Sequence, residues 1–341
     1  MTTIGVVGLG YWGPNLVRNL IENRHCTRVL VCDQNPLALE RTVNRYPTAV
    51  PFARYEEMLA DPALEGVMIA TPINTHYELA KKALANGKHV FVEKPFTSSS
   101  DQAVDLISMA DAQKLVIGVG HTFEYSPPVL KIRDIMERGE LGEIFYISST
   151  RVNLGLHSKD HSVIWDLAPH DLSMIMYWLG EAPFEVAATG KDFVQKGIPD
   201  VAFLSLRFAS GAIAHVEVSW LAPSKLRRTT IVGAAKMLVY DDTEHLEPVK
   251  LFDKGVRFKD PDSFGEYQLS YRTGDIVSPK IESFEPLQAE VNDFVTGVIQ
   301  RRNPKADGED GLRVVQVLEA AERSLHSAGE PVKIEDVKSW I

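Results

Sequence analysis

The chain has 341 residues, 45% of them hydrophobic and 24% charged, a balance ordinary for a soluble globular protein and long enough for two domains with separate cores. Its formal net charge of −10 argues against nucleic acid or an anionic membrane surface as the main partner. No apolar run is long enough to span a membrane, and Met1-Thr2-Thr3-Ile4 leads straight into an apolar stretch with no room for a leader, so a cytoplasmic location is expected.

Ile4–Val7 reads as a buried strand. Gly8-Leu9-Gly10-Tyr11-Trp12-Gly13 completes G-x-G-x-x-G, and Pro14, Leu16, Val17, Leu20 and Ile21 open an amphipathic helix. In this context Gly8 permits a tight turn, Gly10 lets backbone approach a pyrophosphate, and Gly13 allows close helix–strand packing, so the helix N-terminus can receive phosphates. A second apolar strand, Val29–Cys32, ends at Asp33, where a carboxylate can accept hydrogen bonds from an adenosine ribose and repel a 2′-phosphate. The expected cofactor is therefore NAD, not NADP. Cys26 and Cys32 lack C-x-x-C spacing and read as reduced structural thiols.

Helices are predicted at Pro36–Arg45, Tyr55–Leu59, Tyr77–Asn86 and Asp101–Ala112, and strands at Gly66–Ala70, His89–Val92 and Leu115–Val119. The alternation implies a parallel sheet covered on both faces. Ligands of such sheets sit outside the carboxyl ends of the strands, so Gly8, Asp33, Thr71, Glu93, Lys94 and His121 should lie along one rim. Beyond His121 the pattern changes. A helix at Val129–Glu137, a strand at Glu143–Asn153 and a helix at Leu167–Leu179 precede runs rich in Val, Phe, Ile and Thr: Phe184–Thr189, Val201–Phe208, Ala212–Trp220, Arg228–Val232 and Met237–Tyr240. These predict a largely antiparallel sheet. Leu287, Val291, Phe294, Val295 and Val298, then Val314, Val317, Leu318, Ala321 and Leu325, recur at helical spacing and predict two terminal helices.

Two constellations carry chemistry. Lys94 lies where a sheet strand empties onto the ligand rim, and Pro95 restricts its backbone, so its amine can hydrogen-bond a substrate hydroxyl or join a proton relay; the alternative is a surface ion pair. In Trp165-Asp166-Leu167-Ala168-Pro169-His170-Asp171, Asp166 and His170 are spaced to share one side of a helix, which would let the carboxylate orient an imidazole that takes the proton of an alcohol. The competing reading makes Asp166 a helix cap and His170 a satisfied polar residue. His157 and His161, with Asp160 between them, have ligand spacing without a third soft ligand, and no metal is expected. Arg151, Asn153 and Arg272 lie in polar stretches that could meet a pyrophosphate or sugar, or simply be solvated.

With these motifs, Ala70-Thr71-Pro72-Ile73-Asn74-Thr75-His76, Gly120-His121 and the late Glu285-Pro286-Leu287 leading to Asp293-Phe294, the chain resembles the glucose-fructose oxidoreductase and inositol dehydrogenase family (Gfo/Idh/MocA) over nearly its whole length. The resemblance implies an α/β Rossmann domain with a parallel sheet, expected at 1–121, followed by an α+β domain with an open-faced, mostly antiparallel sheet, expected at 122–341. The second domain would bind substrate and mediate a homo-oligomer, dimer or tetramer, and the terminal helices would pack back on the first. The implied chemistry is hydride transfer between NAD and a secondary alcohol of a sugar or cyclitol, with Lys94, His170 and Asp166 catalytic. Gly8, Gly10, Tyr11, Trp12, Gly13, Asp33, Thr71, Pro72, Asn74, His76, Glu93, Lys94, His121 and Trp165 are the expected cofactor contacts. Lys94, Tyr125, Arg151, Asn153, Asp166, His170 and Arg272 are the expected substrate contacts.

Phe123-Glu124-Tyr125 and Val163-Ile164-Trp165 depart from many relatives, which speaks against carrying over inositol or glucose as substrate. Trp165–Asp171, with Gly10-Tyr11-Trp12-Gly13-Pro14-Asn15, looks more like members acting at C3 of a nucleotide-linked hexose. A cyclitol or free-sugar dehydrogenase is the alternative among enzymes, and a non-catalytic NAD-binding regulatory protein the alternative of another class.

Overall fold

A computed structural model describes residues 2–155, 161–259 and 268–334. The chain begins with β1 (Thr2–Val7), α1 (Gly13–Glu22), β2 (Cys26–Cys32), α2 (Pro36–Arg45), β3 (Val50–Phe52), α3 (Tyr55–Leu59), β4 (Gly66–Ile69), α4 (Ile73–Ala85), β5 (His89–Val92), α5 (Ser100–Gln113) and β6 (Ile117–Val119). A 3-10 turn (Thr122–Tyr125) leads into α6 (Pro127–Glu137), β7 (Ile144–Leu154), α7 (Val163–Leu179), β8 (Glu185–Lys191), β9 (Val201–Arg207), β10 (Ile213–Ser219), β11 (Leu221–Gly233), β12 (Met237–Asp241), β13 (Val249–Lys259) and β14 (Gln268–Val277). Two long helices, α8 (Pro286–Gln300) and α9 (Gly308–His326), and a short β15 (Val332–Lys333) complete it. The chain divides into two compact units, Met1–Ser126 with Phe284–Gln316, and Pro127–Ser283 with Val317–Ile341, the division falling inside α9.

In the first unit six strands run in the order β3-β2-β1-β4-β5-β6, every neighbouring pair parallel. β1, β4 and β5 are buried along their whole length, which is why they read as unbroken apolar runs. Leu287, Val291, Phe294, Val295 and Val298 of α8 join the same core as Ile4, Leu16, Leu20 and Phe91. The rings of Phe294 and Phe91 meet edge to face, 5.6 Å between centroids.

Polar bonds tie the 3-10 turn to this late helix. Thr122 Oγ1 donates to Glu290 Oε2 at 2.7 Å, and the Tyr125 hydroxyl donates to Asp293 Oδ2 at 2.8 Å while accepting from the Ala306 amide at 3.2 Å. Burial pushes the Glu290 carboxyl well above the usual carboxylate range and raises the Tyr125 phenol too.

The second unit holds a nine-stranded sheet, β14-β13-β12-β11-β7-β10-β9-β8-β15, in which only β7 and β10 are parallel neighbours. Burial alternates along β9, with Ala202, Leu204 and Leu206 inside and Phe203, Ser205 and Arg207 outside, as a sheet covered on one face requires. α7 packs against β7, β9 and β10. On the outward face Phe203 stacks on His215, centroids 6.1 Å apart, beside exposed Ile213 and Tyr146.

Several boundaries differ from the sequence expectation, among them α4, which begins at Ile73 and not Tyr77, and β2, which begins at Cys26 and not Val29. α7 begins at Val163 behind Ser162, a full turn before Leu167, so Asp166 sits in the first helical turn and is not the N-cap. β11 starts at Leu221, not Arg228. The hairpin of β13 and β14 occupies a stretch whose interleaved Lys, Asp and Arg residues hid its alternation.

Tyr125→Phe removes a hydroxyl bonded to both Asp293 and Ala306, leaving the buried Ala306 amide unpaired, while half-buried Asp293 keeps its bonds to Lys305 and Arg302. The expected loss is about 1–3 kcal/mol, read as a lower midpoint in urea unfolding, with the fluorescence change on NADH binding preserved. An unchanged midpoint would show that the bond contributes nothing.

Candidate active site

In the first unit the glycine loop is shaped by contact with its neighbours. Gly8 has φ +89°, and a Cβ there would lie 2.6 Å from the Ala70 carbonyl oxygen; a Cβ on Gly13 would run into the Gly8 oxygen. A Cβ on Gly10, by contrast, would meet nothing within 4 Å, so the space above the loop is open. Asp33, just after β2, turns back on the loop. Its Oδ2 accepts from the Leu9 amide at 2.6 Å and its Oδ1 from the Asn35 amide at 2.7 Å. A cavity of about 690 Å³ begins here, walled by Gly8, Gly10, Asp33, Thr71, Pro72 and Thr75 among others. A second cavity, about 470 Å³, shares Gly10 and Asp33 and is lined on its far side by Arg41 and Arg45 of α2. The open cradle over Gly10, the start of α1 and the cavity beside Asp33 fit the phosphates and adenosine of a dinucleotide.

The rim of the same sheet carries Glu93, Lys94 and His121. The Lys94–Pro95 peptide is cis. His76, on the inner face of α4, bridges two rim turns, with Nε2 2.8 Å from the Thr71 carbonyl oxygen and Nδ1 2.9 Å from that of Pro95. Burial lowers its pKa, against the pull of those carbonyls. Glu93 is 4% exposed, and burial pushes its carboxyl up to about 7, opposed by the Lys94 charge and by the Trp12 indole directed toward it. His121, 1% exposed, is pushed down to about 4 by burial, so it is neutral at pH 7. Lys94 itself is half-buried, among groups that all feel its charge. Tyr11 and Trp12 are exposed on the glycine loop and Asn74 on the first turn of α4.

In the second unit α7 presents a narrow accessible face. Between Val163 and Ile175 only Asp166, Leu167 and His170 escape full burial. Pro169 lies within the helix and brings no amide hydrogen to the Trp165 carbonyl. Next to His170, Asp171 is sunk against the sheet, where its Oδ2 accepts from Arg151 Nε at 2.6 Å and its Oδ1 from Ser149 Oγ at 2.7 Å. Asp166 Oδ2 accepts from the Trp220 indole at 3.1 Å.

Seven expected contacts are corrected by this arrangement, since the side chains of His76, Glu93 and His121 are buried, that of His76 on backbone carbonyls, and four more are consumed elsewhere. The Arg151 side chain is 4% exposed and spent on Asp171, so it is not a substrate residue. Arg272 is ion-paired to Asp253 at 2.7 Å and donates to the Ala235 carbonyl, which removes it as a ready phosphate ligand. Tyr125 is buried and bonded within its own unit. Trp165 is turned inward, its indole donating to Glu322 Oε2 of α9 at 2.8 Å, and offers no face to a cofactor. Asn153 remains half-buried, its amide beside Gly155. His157 and Asp160 lie outside the described residues, and no group of three potential metal ligands occurs among the described residues. Sequence reasoning missed Trp220, which follows β10 in an apolar run and so reads as core, and missed Arg41 and Arg45, whose helical spacing marks them only as a solvated face.

Residues 2–121 match the oxidoreductase family with NAD-binding Rossmann fold named GFO_IDH_MocA, and residues 129–239 match the GFO/IDH/MocA C-terminal domain. The scyllo-inositol 2-dehydrogenase (NAD(+)) of Bacillus subtilis is 26% identical over 98% of this chain and 96% of its own length. The UDP-N-acetylglucosamine 3-dehydrogenase of Acidithiobacillus ferrooxidans is 26% identical over 77% of this chain and 79% of its own. Among solved structures, GenD2 from gentamicin A biosynthesis, in complex with NAD, superposes with a TM-score of 0.82 at 22% identity, covering 98% of this chain and 97% of that one. The glycine cradle, the acid after β2 and both domain matches make the chain a member of the Gfo/Idh/MocA family of oxidoreductases, with an NAD-binding Rossmann domain.

Proposed function

We propose that the protein is an NAD-dependent dehydrogenase or ketoreductase that acts on a secondary alcohol or ketone of a nucleotide-linked hexose, at C3. The observation that carries the catalytic part is the first half of α7, where Asp166 and His170, with Leu167, are left half-buried between fully buried residues. Bound nicotinamide would supply the hydride acceptor or donor. In the oxidation His170 takes the hydroxyl proton, Lys94 hydrogen-bonds and polarises the same oxygen, and Asp166 orients the imidazole or the substrate. In the first unit Asp33 holds the adenosine ribose. Gly8, Gly10 and Gly13 let the backbone meet the pyrophosphate, Thr71 and Pro72 wall the cavity beside it, and Asn74 stands exposed at the start of α4, with Glu93 and His121 buried beneath.

Support for the nucleotide-linked substrate comes from the Trp165–Asp171 motif and from the UDP-N-acetylglucosamine 3-dehydrogenase among the relatives. The two arginines that favoured a phosphate contact no longer do so, since Arg151 and Arg272 are paired internally. That keeps a free sugar or cyclitol as the second reading, alongside the inositol dehydrogenase relative. The exposed sheet face bearing Phe203, Ile213 and Tyr146 supports a homo-oligomer.

The substrate class is tested by NADH formation with UDP-N-acetylglucosamine, free N-acetylglucosamine, scyllo-inositol and myo-inositol at equal concentration. Preference for the nucleotide sugar is expected, with an apparent affinity that falls as salt rises. Equal rates on the free sugar would remove the nucleotide from the proposal, and no turnover of any compound would favour the regulatory alternative.

For the proton, His170→Asn is expected to keep NADH binding and lower single-turnover hydride transfer by roughly a hundred- to ten-thousandfold. Lys94→Ala should give a comparable loss, and the double variant less than the product of the two, because groups serving one proton act as a unit. A His170→Asn protein with the parental rate would send the proton elsewhere.

For the cofactor, Asp33→Ser should weaken NADH and relatively favour NADPH in fluorescence titrations, since a carboxylate facing the 2′-position is removed. Tighter binding of NADPH than NADH by the unaltered protein would refute the role given to Asp33.

A further inference from the structure

Asp166 stands in the first turn of α7, and its carboxylate is met by a residue at the end of β10, a strand on which α7 packs. Trp220, directly after β10, is 1% exposed, and its indole Nε1 donates to Asp166 Oδ2 at 3.1 Å. An indole is a donor only, and a buried one needs an acceptor. The carboxylate supplies it.

The residue is held at its backbone as well as at its ring. The Trp220 amide donates to the Asp200 carbonyl at 2.9 Å, and its own carbonyl accepts from Gly155 at 3.1 Å. A Cβ on Gly155 would stand 3.0 Å from the indole Cδ1, so the glycine leaves room for the ring at the end of β7. The stretch before β9 also anchors the helix: the Val163 amide, first in α7, donates to the Pro199 carbonyl at 2.9 Å. Pro199 and Asp200 thus fix both the start of α7 and the residue whose indole reaches Asp166. The bond joins a side chain with no freedom to a carboxylate on an accessible helix face.

We propose that Trp220 is a positioning residue for Asp166, its indole N–H setting the orientation in which the carboxylate meets His170 or substrate. The inference rests on the catalytic reading of Asp166. Since an indole cannot accept, Oδ2 is held in the acceptor role. A misdirected carboxylate should cost rate in the reacting complex more than affinity for the cofactor.

The test uses the full chain, NAD and whichever compound of the panel above turns over fastest. Trp220→Phe keeps most of the ring and loses the N–H. It should lower kcat by about ten- to a hundredfold and leave the KM for NAD unchanged. In an Asp166→Asn background, already lacking the carboxylate, the same change should lower kcat less than about twofold, because interacting residues are not additive. If Trp220→Phe does not fold, the benzothiophene analogue of tryptophan at position 220, which replaces N–H by sulfur at nearly the same size, takes its place in both backgrounds.

A parental kcat in the variant, or an equal loss in both backgrounds, would overturn the assignment and leave Trp220 as packing. If Asp166→Asn itself retains the parental kcat, or if no compound turns over, the catalytic reading fails and this assignment with it. A large loss in Asp166→Asn beside a parental Trp220→Phe rejects the positioning role alone.

Discussion

The second unit is organised around one buried ion pair. Asp171 and Arg151 are both almost wholly withdrawn from solvent, and removing charges from water is costly unless geometry and further hydrogen bonds compensate. Here Arg151 bonds through Nε and Nη2, and Ser149, itself in contact with Thr229, completes the Asp171 carboxylate. The pair fastens α7 to β7 and so holds the helix in the rotation that leaves Asp166, Leu167 and His170 half-buried. Loss of either partner would strand a buried charge, typically a cost of about 3–5 kcal/mol. The same helix would then lose the constraint that selects its accessible face.

The glycine loop of the first unit rests on an analogous economy of space. Gly8 and Gly13 are required by backbone atoms that leave no volume for a side chain, and Asp33 satisfies two amides that the sharp turn and the start of α2 would otherwise leave unpaired. Farther along the same unit, Glu93, His121 and Glu290 are buried ionisable groups, Glu290 held by Thr122 and close enough to Glu93 to feel its charge. Burial shifts each toward its neutral form and so lightens the negative charge that these groups set near Lys94.

Much of the first unit was legible because its strands are buried on both faces and its loop chemistry is local: Gly8, Gly13 and Asp33 act through backbone a few residues away. The Asp166 and His170 pair was legible for the same reason, since helical periodicity alone puts them on one side. What sequence could not give was the destination of long side chains. Arg151, Arg272, Tyr125 and Trp165 all bear polar groups suited to ligands, and each is consumed by a partner far along the chain: Asp171, Asp253, Asp293 and Glu322. β13 and β14 escaped because charged residues interrupt their alternation, and the early start of α7 because Val163 and Ile164 resemble a strand as much as a helix.

Asp33 also ties cofactor preference to the integrity of the loop beneath it. The carboxylate expected to turn away a 2′-phosphate is the one that closes the amides of Leu9 and Asn35, while Arg41 and Arg45 already wait across the shared cavity. A lineage drifting toward the phosphorylated dinucleotide through this position would find the cations in place and the turn undone. Such a drift is eased in sequences that keep an acceptor for those two amides, so the backbone, as well as the ligand, weighs on which substitutions can accumulate.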